Sequence, residues 1–185
     1  AGCRLSNEIA DRLMQMKTES PMEIPQKSDT PLRREADQQA FFDATLERAL
    51  VAEQRAGAHE HYLDIADTTV RLIFAGDGLR RHFLPSLRHL EIAPVLAPGV
   101  TFHVWDSEST GVEMLPPPCS QDSFTDRGDI WGWNSERIRS AFHWIECSVN
   151  LMDCRTNQAV YWVQTERTLP YCTKASPLRS LLHWW

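Results

Sequence analysis

Apolar residues recur at two different spacings along the chain, and the spacing changes after residue 57. Over residues 6–17 and 35–55 they recur every three to four positions, which predicts two amphipathic helices. Residues 18–33 lie between these helices and carry three prolines among polar side chains, which indicates a linker. The spacing therefore predicts a helical extension over residues 1–58.

The helix predicted over residues 35–55 has an apolar stripe that includes Phe42, Leu46 and Ala49. Gly57 follows as a stop signal, because glycine readily adopts the backbone conformation that ends helices. Two interpretations of the stripe are open: the helix packs on the main domain, or it docks onto a partner protein.

Beyond this helix, apolar and polar residues alternate, as they do in β-strands that are buried on one face. Alternation at residues 62–66 and 69–74 predicts an antiparallel hairpin, and alternation at 100–105 predicts another strand. Residues 79–90 have helical spacing instead, and Pro85 is expected to kink or restart that helix.

The last third of the chain predicts a meander of strands followed by a short helix. The strands are expected at residues 130–133, 137–142, 144–153 and 159–165. The helix is expected to begin at Pro177 with Ser176 as its N-cap. Its terminal residues, Trp184 and Trp185, are expected to need a neighbour beyond this chain. The elements together predict an α+β domain over residues 59–185, with a mainly antiparallel sheet of about six strands and flanking helices.

Composition and charge restrict the classes of partner. With 185 residues, 42% of them hydrophobic, the chain is long enough for one domain with a core. The net charge is -6 and Lys and Arg are scattered, which argues against nucleic acid and anionic membranes as partners. No run of residues approaches the roughly 18 apolar positions of a membrane span. The five cysteines lack a metal-binding spacing, so free thiols in a cytoplasmic protein are expected.

Residues 106–126 form a long connection with three consecutive prolines, which favour an extended conformation. Loops of this kind often line functional surfaces. The residues that are expected to face a partner around this loop are Asp106, Glu108, Pro116, Pro117, Pro118 and Asp129. Two of the acidic residues can in principle serve in acid–base catalysis, but their spacing does not make them converge. We expect no catalytic, cofactor-binding or metal-binding residue in this chain.

The isolated histidines and the tryptophans are interpreted as structural. His103 and His143 neighbour apolar residues, where a hydrogen-bonded core histidine is expected. Four of the seven tryptophans lie on the predicted meander and can form a stacking platform, but the chain lacks the basic groove of a nucleic-acid site. The tryptophans are therefore expected in the core.

The chain also contains a series of short motifs in a fixed order. They are Thr69-Val70-Arg71-Leu72, Val104-Trp105-Asp106-Ser107, Arg127-Gly128-Asp129, Asn134-Ser135-Glu136, Leu169-Pro170-Tyr171, Ser176-Pro177-Leu178-Arg179 and Leu182-His183-Trp184-Trp185. The series, which covers residues 62–185, resembles the N-terminal half of bacterial HPr kinase-related kinases. Its most specific part is the terminal stretch SPLRSLLHWW.

The resemblance implies a larger parent protein. In that family such a region precedes a P-loop kinase domain of the HPr kinase/phosphorylase type, and the proteins accompany a small PqqD-like protein. By this resemblance the parent binds ATP and Mg²⁺ and phosphorylates a protein or peptide. The glycine-rich loop, its Lys and the metal carboxylates would all follow Trp185, so no catalytic residue is carried over to this chain.

The function expected from the resemblance is the non-catalytic, substrate-positioning or regulatory part of such a kinase. The alternative is a free-standing module that binds a peptide or protein through the polyproline loop and exposed tryptophans. A small enzyme that acts through Asp106 and Asp129, or through the cysteines, is a third hypothesis.

Overall fold

The computed structural model describes residues 33–116, 118–119, 125 and 128–185. They belong to one compact unit, Pro31–Trp185. The helix predicted at residues 6–17 and nearly all of the predicted linker lie outside the described residues, as does Pro117.

The predicted long helix is confirmed as α1 (Glu35–Ala56). It carries Glu35 and Asp37 in its first turn, where carboxylates stabilise the positive end of the helix dipole. It ends at Gly57, whose φ of 88° is readily adopted only by glycine. Its buried residues are Gln38, Phe42, Thr45, Ala49 and Ala52, which recur every three to four positions. The apolar stripe therefore packs on the chain's own sheet, as the first interpretation holds.

In the part of the chain that the structure describes, seven strands form one mixed sheet. They are β1 (Ala58–Ile65), β2 (Thr68–Ala75), β3 (Glu91–Ile92), β4 (Val100–Asp106), β5 (Ile138–His143), β6 (Ser148–Asp153) and β7 (Gln158–Val163). Their order in the sheet is β3-β1-β2-β4-β7-β6-β5. Strands β2, β4 and β7 run parallel at the centre, while the outer strands pair antiparallel.

The α+β class is confirmed, whereas the prediction of a mainly antiparallel sheet of about six strands is wrong. Alternation locates strands without giving their direction. The helix α2 (Arg80–Leu87), which contains Pro85 and continues into the 3-10 turn Arg88–Leu90, follows β2. This crossover returns the chain beside β2 in the same direction, so β4 pairs parallel to it.

The predicted hairpin is confirmed by β1 and β2. Ile65 pairs with Thr68 at its end, so two residues form the turn. These residues, Ala66 and Asp67, have φ values of 51° and 63°, which matches the right-handed twist of the paired strands.

Two parts of the predicted meander differ from the structure. Residues 131–133 form a turn rather than a strand, Ile130 is at an isolated bridge position, and Asp129 makes a bridge to β5 through Ala141. Residues 144–147 form the turn between β5 and β6, with Cys147 at a φ of 49°.

The C-terminal segment, residues 169–185, contains two short helices, α4 (Tyr171–Ala175) and α5 (Arg179–Trp184). The predicted start at Pro177 is wrong, because Leu178 has a φ of 58° and α5 begins after it. Trp184 and Trp185 are half-buried against the core of this chain, and the need for an outside neighbour stays a prediction.

Each face of the sheet has its own core. The face that α1 covers, here called the α1 face, buries Phe42, Ala49, Trp105, Val149, Leu151 and Val160 among others. The opposite face, here called the C-terminal face, is covered by α2 and the C-terminal segment. It buries Leu72, Phe74, Phe83, Phe102, Val104, Tyr161 and Leu181 among others.

Candidate functional site

A cavity of about 190 Å³ opens on the C-terminal face, between the turn that joins β5 to β6 and the C-terminal segment. We call it the β5–β6 cavity. Its polar lining comes from His143, Glu146, Asn150, Tyr161, Thr173 and Arg179. Alternation along the strands explains part of this set, because Asn150 and Tyr161 pair across β6 and β7 and both project to the C-terminal face.

Glu146 connects the β5–β6 turn to the neighbouring elements. One carboxylate oxygen accepts a hydrogen bond from Ser148 Oγ at 2.9 Å, and the other accepts one from Thr173 Oγ1 at 2.6 Å. Ser148 is fully buried, and Thr173 lies in α4. Both donors are neutral hydroxyl groups, so they hold the carboxylate in place without compensating its charge.

Tyr161 contributes a buried hydroxyl group to the cavity. The side chain is 2% exposed, and Phe83 packs edge-on against its ring with a centroid distance of 5.5 Å. Burial raises the pKa of the hydroxyl far above its usual range, so the group stays protonated. Glu146 and Ser148 are near enough to influence that pKa, yet no group of the described residues forms a hydrogen bond of normal length with the hydroxyl.

His143 forms another wall of the cavity and connects β5 to α5. Its Nε2 atom lies 2.7 Å from Ser180 Oγ. Burial lowers the pKa of the imidazole, so the neutral form predominates at neutral pH. Gly128 permits this packing, because a Cβ atom there would lie 2.8 Å from the Phe142 carbonyl oxygen and 3.2 Å from His143 Nδ1.

One exposed apolar side chain lines the cavity, and another belongs to a residue next to its lining in the sequence. Ile145 is 83% exposed, and Tyr171, which stands between the lining residues Pro170 and Cys172, is 85% exposed. Arg179 is also exposed at the rim. A concave site that combines apolar side chains with a few polar groups is typical of ligand sites.

The structure does not bring the sequence-predicted loop residues together. Asp106 is fully buried, where its carboxylate caps α3 (Ser107–Thr110) by accepting hydrogen bonds from Ser109 N and Ser109 Oγ. Asp129 is exposed beyond β5. Four strand spacings separate the two, about 19 Å. They cannot act on one substrate group at this separation, which removes the basis for the acid–base hypothesis.

The other predicted loop residues also lie apart from the cavity. Glu108 forms an exposed ion pair with Arg167 at 2.9 Å and a hydrogen bond with Thr165. Pro116 and Pro118 are exposed. These residues remain available as a binding surface, but none of them lines the β5–β6 cavity.

The turn after β2 does not fit a nucleotide phosphate. A Cβ atom at Gly78 would lie 2.4 Å from Asp106 Oδ2 and 2.9 Å from Glu166 Oε2, so two carboxylates face the turn. These negative charges would repel a phosphate. Within the described ranges, no group of three or more His, Cys, Asp or Glu side chains is placed to hold a metal ion.

The buried thiols are poor candidates for nucleophiles. Burial raises the pKa of Cys119 to about 11, and burial followed by the Glu146 charge raises the pKa of Cys147. A thiol must ionise to attack, so both are weak nucleophiles at neutral pH. Where the chain is described, no helix combines the length and the apolar character that crossing a membrane requires.

Comparisons with known proteins identify no relative: neither a protein-family model, nor a curated protein, nor a solved structure matches the chain.

This cavity was not predicted from the sequence, because it lies at a turn whose residues have the pattern of a strand. Ile145 and Cys147 are apolar and flank Glu146, so the segment mimics strand alternation. One signal was available: Tyr161 projects from an otherwise apolar face of β7, and a hydroxyl group there needs a partner.

Proposed function

We propose that the chain is a recognition domain that binds a segment of a partner protein or peptide at the β5–β6 cavity. In this proposal it is the substrate-positioning or regulatory part of an HPr kinase-related kinase and works in the cytoplasm, where its thiols stay reduced. The catalytic ATP and Mg²⁺ site belongs to a further domain that follows Trp185. The chain itself contributes binding and no chemical step.

The observation that carries the proposal is the form of the cavity. The exposed side chain of Ile145 lines it, the exposed Tyr171 follows the lining residue Pro170 in the sequence, and Tyr161 and Glu146 supply polar atoms. Exposed apolar groups beside a pocket give a partner contact area, and buried polar groups give it specificity. A polypeptide segment presents both kinds of group, because apolar side chains alternate with polar ones.

The proposed partner with the most specific support from the resemblance is a small PqqD-like protein. Its binding to the 185-residue chain is to be measured by calorimetry with the wild type and with a double variant, Ile145→Ser and Tyr171→Ser. Removing two apolar anchors at the centre of an interface is expected to weaken binding by roughly tenfold or more.

The matched control is Leu96→Ser, since Leu96 is fully exposed in the loop before β4 and away from the cavity. It is expected to bind with wild-type affinity. Equal affinities of the double variant and the wild type would contradict the proposed site. A reading frame without a G-x-x-x-x-G-K-[ST] motif in about the next hundred codons, the length of one small domain, would contradict the kinase context.

A free-standing binding module is the second candidate, and the same cavity supports it. It differs from the first only in the absence of a downstream kinase domain, so the reading frame after Trp185 distinguishes the two.

A further inference from the structure

We infer that the β5–β6 cavity binds the side chain of a lysine residue, with the ammonium group held between Glu146 and Tyr161. The inference rests on the proposed function, because it names the chemical group of the partner that enters the site.

The charge of the cavity favours a cation. Within the described ranges, the hydrogen bonds that Glu146 accepts come from the neutral hydroxyls of Ser148 and Thr173. Among the residues that the structure describes, no Lys or Arg forms an ion pair with it. His143 does not supply the missing charge, because burial keeps its imidazole neutral. An anionic ligand would face this carboxylate in a half-buried site, which is unfavourable.

The polar atoms of the cavity suit an ammonium group in particular. Tyr161 is more than nine-tenths buried, and its oxygen forms no hydrogen bond of normal length in the described part of the chain, although Glu146 and Ser148 lie near it. Buried polar groups normally have partners, so a ligand that brings donors to this oxygen completes the site. An ammonium carries three donors and no acceptor, and it can donate to both the Glu146 carboxylate and the Tyr161 oxygen.

The binding mode of Glu146 argues for lysine over arginine. A guanidinium prefers a carboxylate with both oxygens free in one plane, where it forms two parallel hydrogen bonds. Each Glu146 oxygen already accepts a hydrogen bond from a hydroxyl group. The compact ammonium group of lysine therefore fits better than the planar guanidinium group of arginine. Trp144 and Ile145 also line the cavity and offer apolar surface that suits the methylene stem of lysine.

Arg179 provides a test of the sign of the ligand's charge. Its guanidinium lies exposed at the rim, where it would repel an incoming ammonium and attract a carboxylate or phosphate. Arg179→Ala is therefore expected to raise the affinity for a lysine ligand modestly. The same change would lower the affinity for an anionic ligand.

The experiment titrates the 185-residue chain with two blocked pentapeptides by NMR. One is acetyl-Gly-Gly-Lys-Gly-Gly-amide, and the other carries norleucine, which keeps the methylene stem and removes the ammonium. The lysine peptide is expected to bind the wild type roughly tenfold more tightly, the scale of one charge-assisted hydrogen bond. Glu146→Gln, a change of charge at nearly constant shape, is expected to abolish the preference.

Equal binding of the two peptides by the wild type would overturn the inference, as would a preference that Glu146→Gln leaves unchanged. Failure of both peptides to bind would overturn it too. The peptide comparison on the wild type does not depend on the folding of any variant. If the partner protein binds the wild type and the Ile145→Ser, Tyr171→Ser variant weakens that binding, the proposed function stands even when the lysine inference fails. If the double variant binds the partner as tightly as the wild type, the proposed function fails, whatever the peptides show.

Discussion

On the α1 face, His103 and Trp105 find their partners within the protein, although the amide oxygen of Gln38 has none among the described residues. His103 is 5% exposed, and its two ring nitrogens lie 2.6 Å from Glu53 Oε1 and 3.0 Å from Gln158 Oε1. Trp105 is fully buried and donates its indole N–H to the Val112 carbonyl oxygen. On the C-terminal face, in contrast, the Tyr161 hydroxyl lacks a partner within the described residues.

The buried polar groups of the two faces have different roles. The pair of His103 and Glu53 on the α1 face holds the helix to the sheet, because separating α1 from the sheet would take this partner away from each of them. The unpaired hydroxyl on the C-terminal face adds nothing to the stability of the isolated chain and instead offers specificity to a ligand. We therefore expect substitutions on the α1 face to change stability, and substitutions in the β5–β6 cavity to change binding.

The largest expected effect is on the α1 face, from Trp105→Ala. Removing this fully buried indole leaves a large void in the α1-face core, so we expect the free energy of unfolding to fall by about 3–5 kcal/mol. Urea denaturation measures the change. The control is Val51→Ala, a residue of α1 that is 45% exposed and should change stability little. A loss for Trp105→Ala as small as that of the control would show that this face is not the stabilising one.

A smaller loss is expected from Glu53→Ala, which removes the α1 partner of His103. The Nδ1 atom of this imidazole would then be buried without a partner, and such a group costs about 1–3 kcal/mol. Urea denaturation is again the measurement. Glu47→Ala, an exposed position on the same helix, is the control and should stay within about 0.5 kcal/mol of the wild type. A Glu53→Ala variant as stable as this control would contradict a structural role for the pair.

Local spacing predicted most of the elements but not how they combine. The apolar stripe located α1, and alternation located β1, β2 and β4. These patterns were sufficient because a pattern of this kind depends only on which side of one element faces the core. The parallel pairing of the central strands was not predicted, since the direction of a strand depends on the path of the connections between strands. That path is a property of the whole chain.

The cavity could not be predicted because tertiary contacts create it. Glu146 belongs to the turn after β5, Tyr161 to β7 and Thr173 to α4, and no sequence spacing relates the three. The sequence instead indicated Asp106 as partner-facing, on the grounds that an acidic residue beside a proline-rich loop is usually exposed. In the fold this carboxylate turns inward to cap α3.

Tyr161→Phe separates stability from binding on the C-terminal face. The change removes only the hydroxyl, which no described group pairs with, so the free energy of unfolding should change by less than about 0.5 kcal/mol or rise. The affinity for the lysine pentapeptide should nevertheless fall severalfold. Thermal unfolding and the NMR titration measure the two effects. Tyr62→Phe is the matched control, since that exposed hydroxyl bonds to Glu60 and lies on β1. A clear loss of stability for Tyr161→Phe alone would show that its hydroxyl is structural.

The smallest expected effect concerns His143 and acidic pH. Burial lowers the pKa of this imidazole in the folded protein, whereas in the unfolded chain it titrates near its ordinary value of about 6.5. The unfolded state therefore binds more protons as the pH falls below about 6.5, and stability is lost over that range. His143→Gln keeps a donor for Ser180 and removes the titration, so it should lose less stability than the wild type between neutral pH and about pH 5. Urea denaturation at a series of pH values gives the comparison.

His82 provides the control for this prediction, because burial lowers the pKa of its imidazole as well. His82→Gln should remove a separate part of the acid sensitivity, and the double variant should be the least sensitive of the four proteins. Parallel pH profiles for His143→Gln and the wild type would mean that the β5–β6 cavity tolerates a protonated imidazole. A cavity of that kind would admit water and ions around Glu146, and the contrast between its unpaired groups and the paired groups of the α1 face would then carry no information about binding.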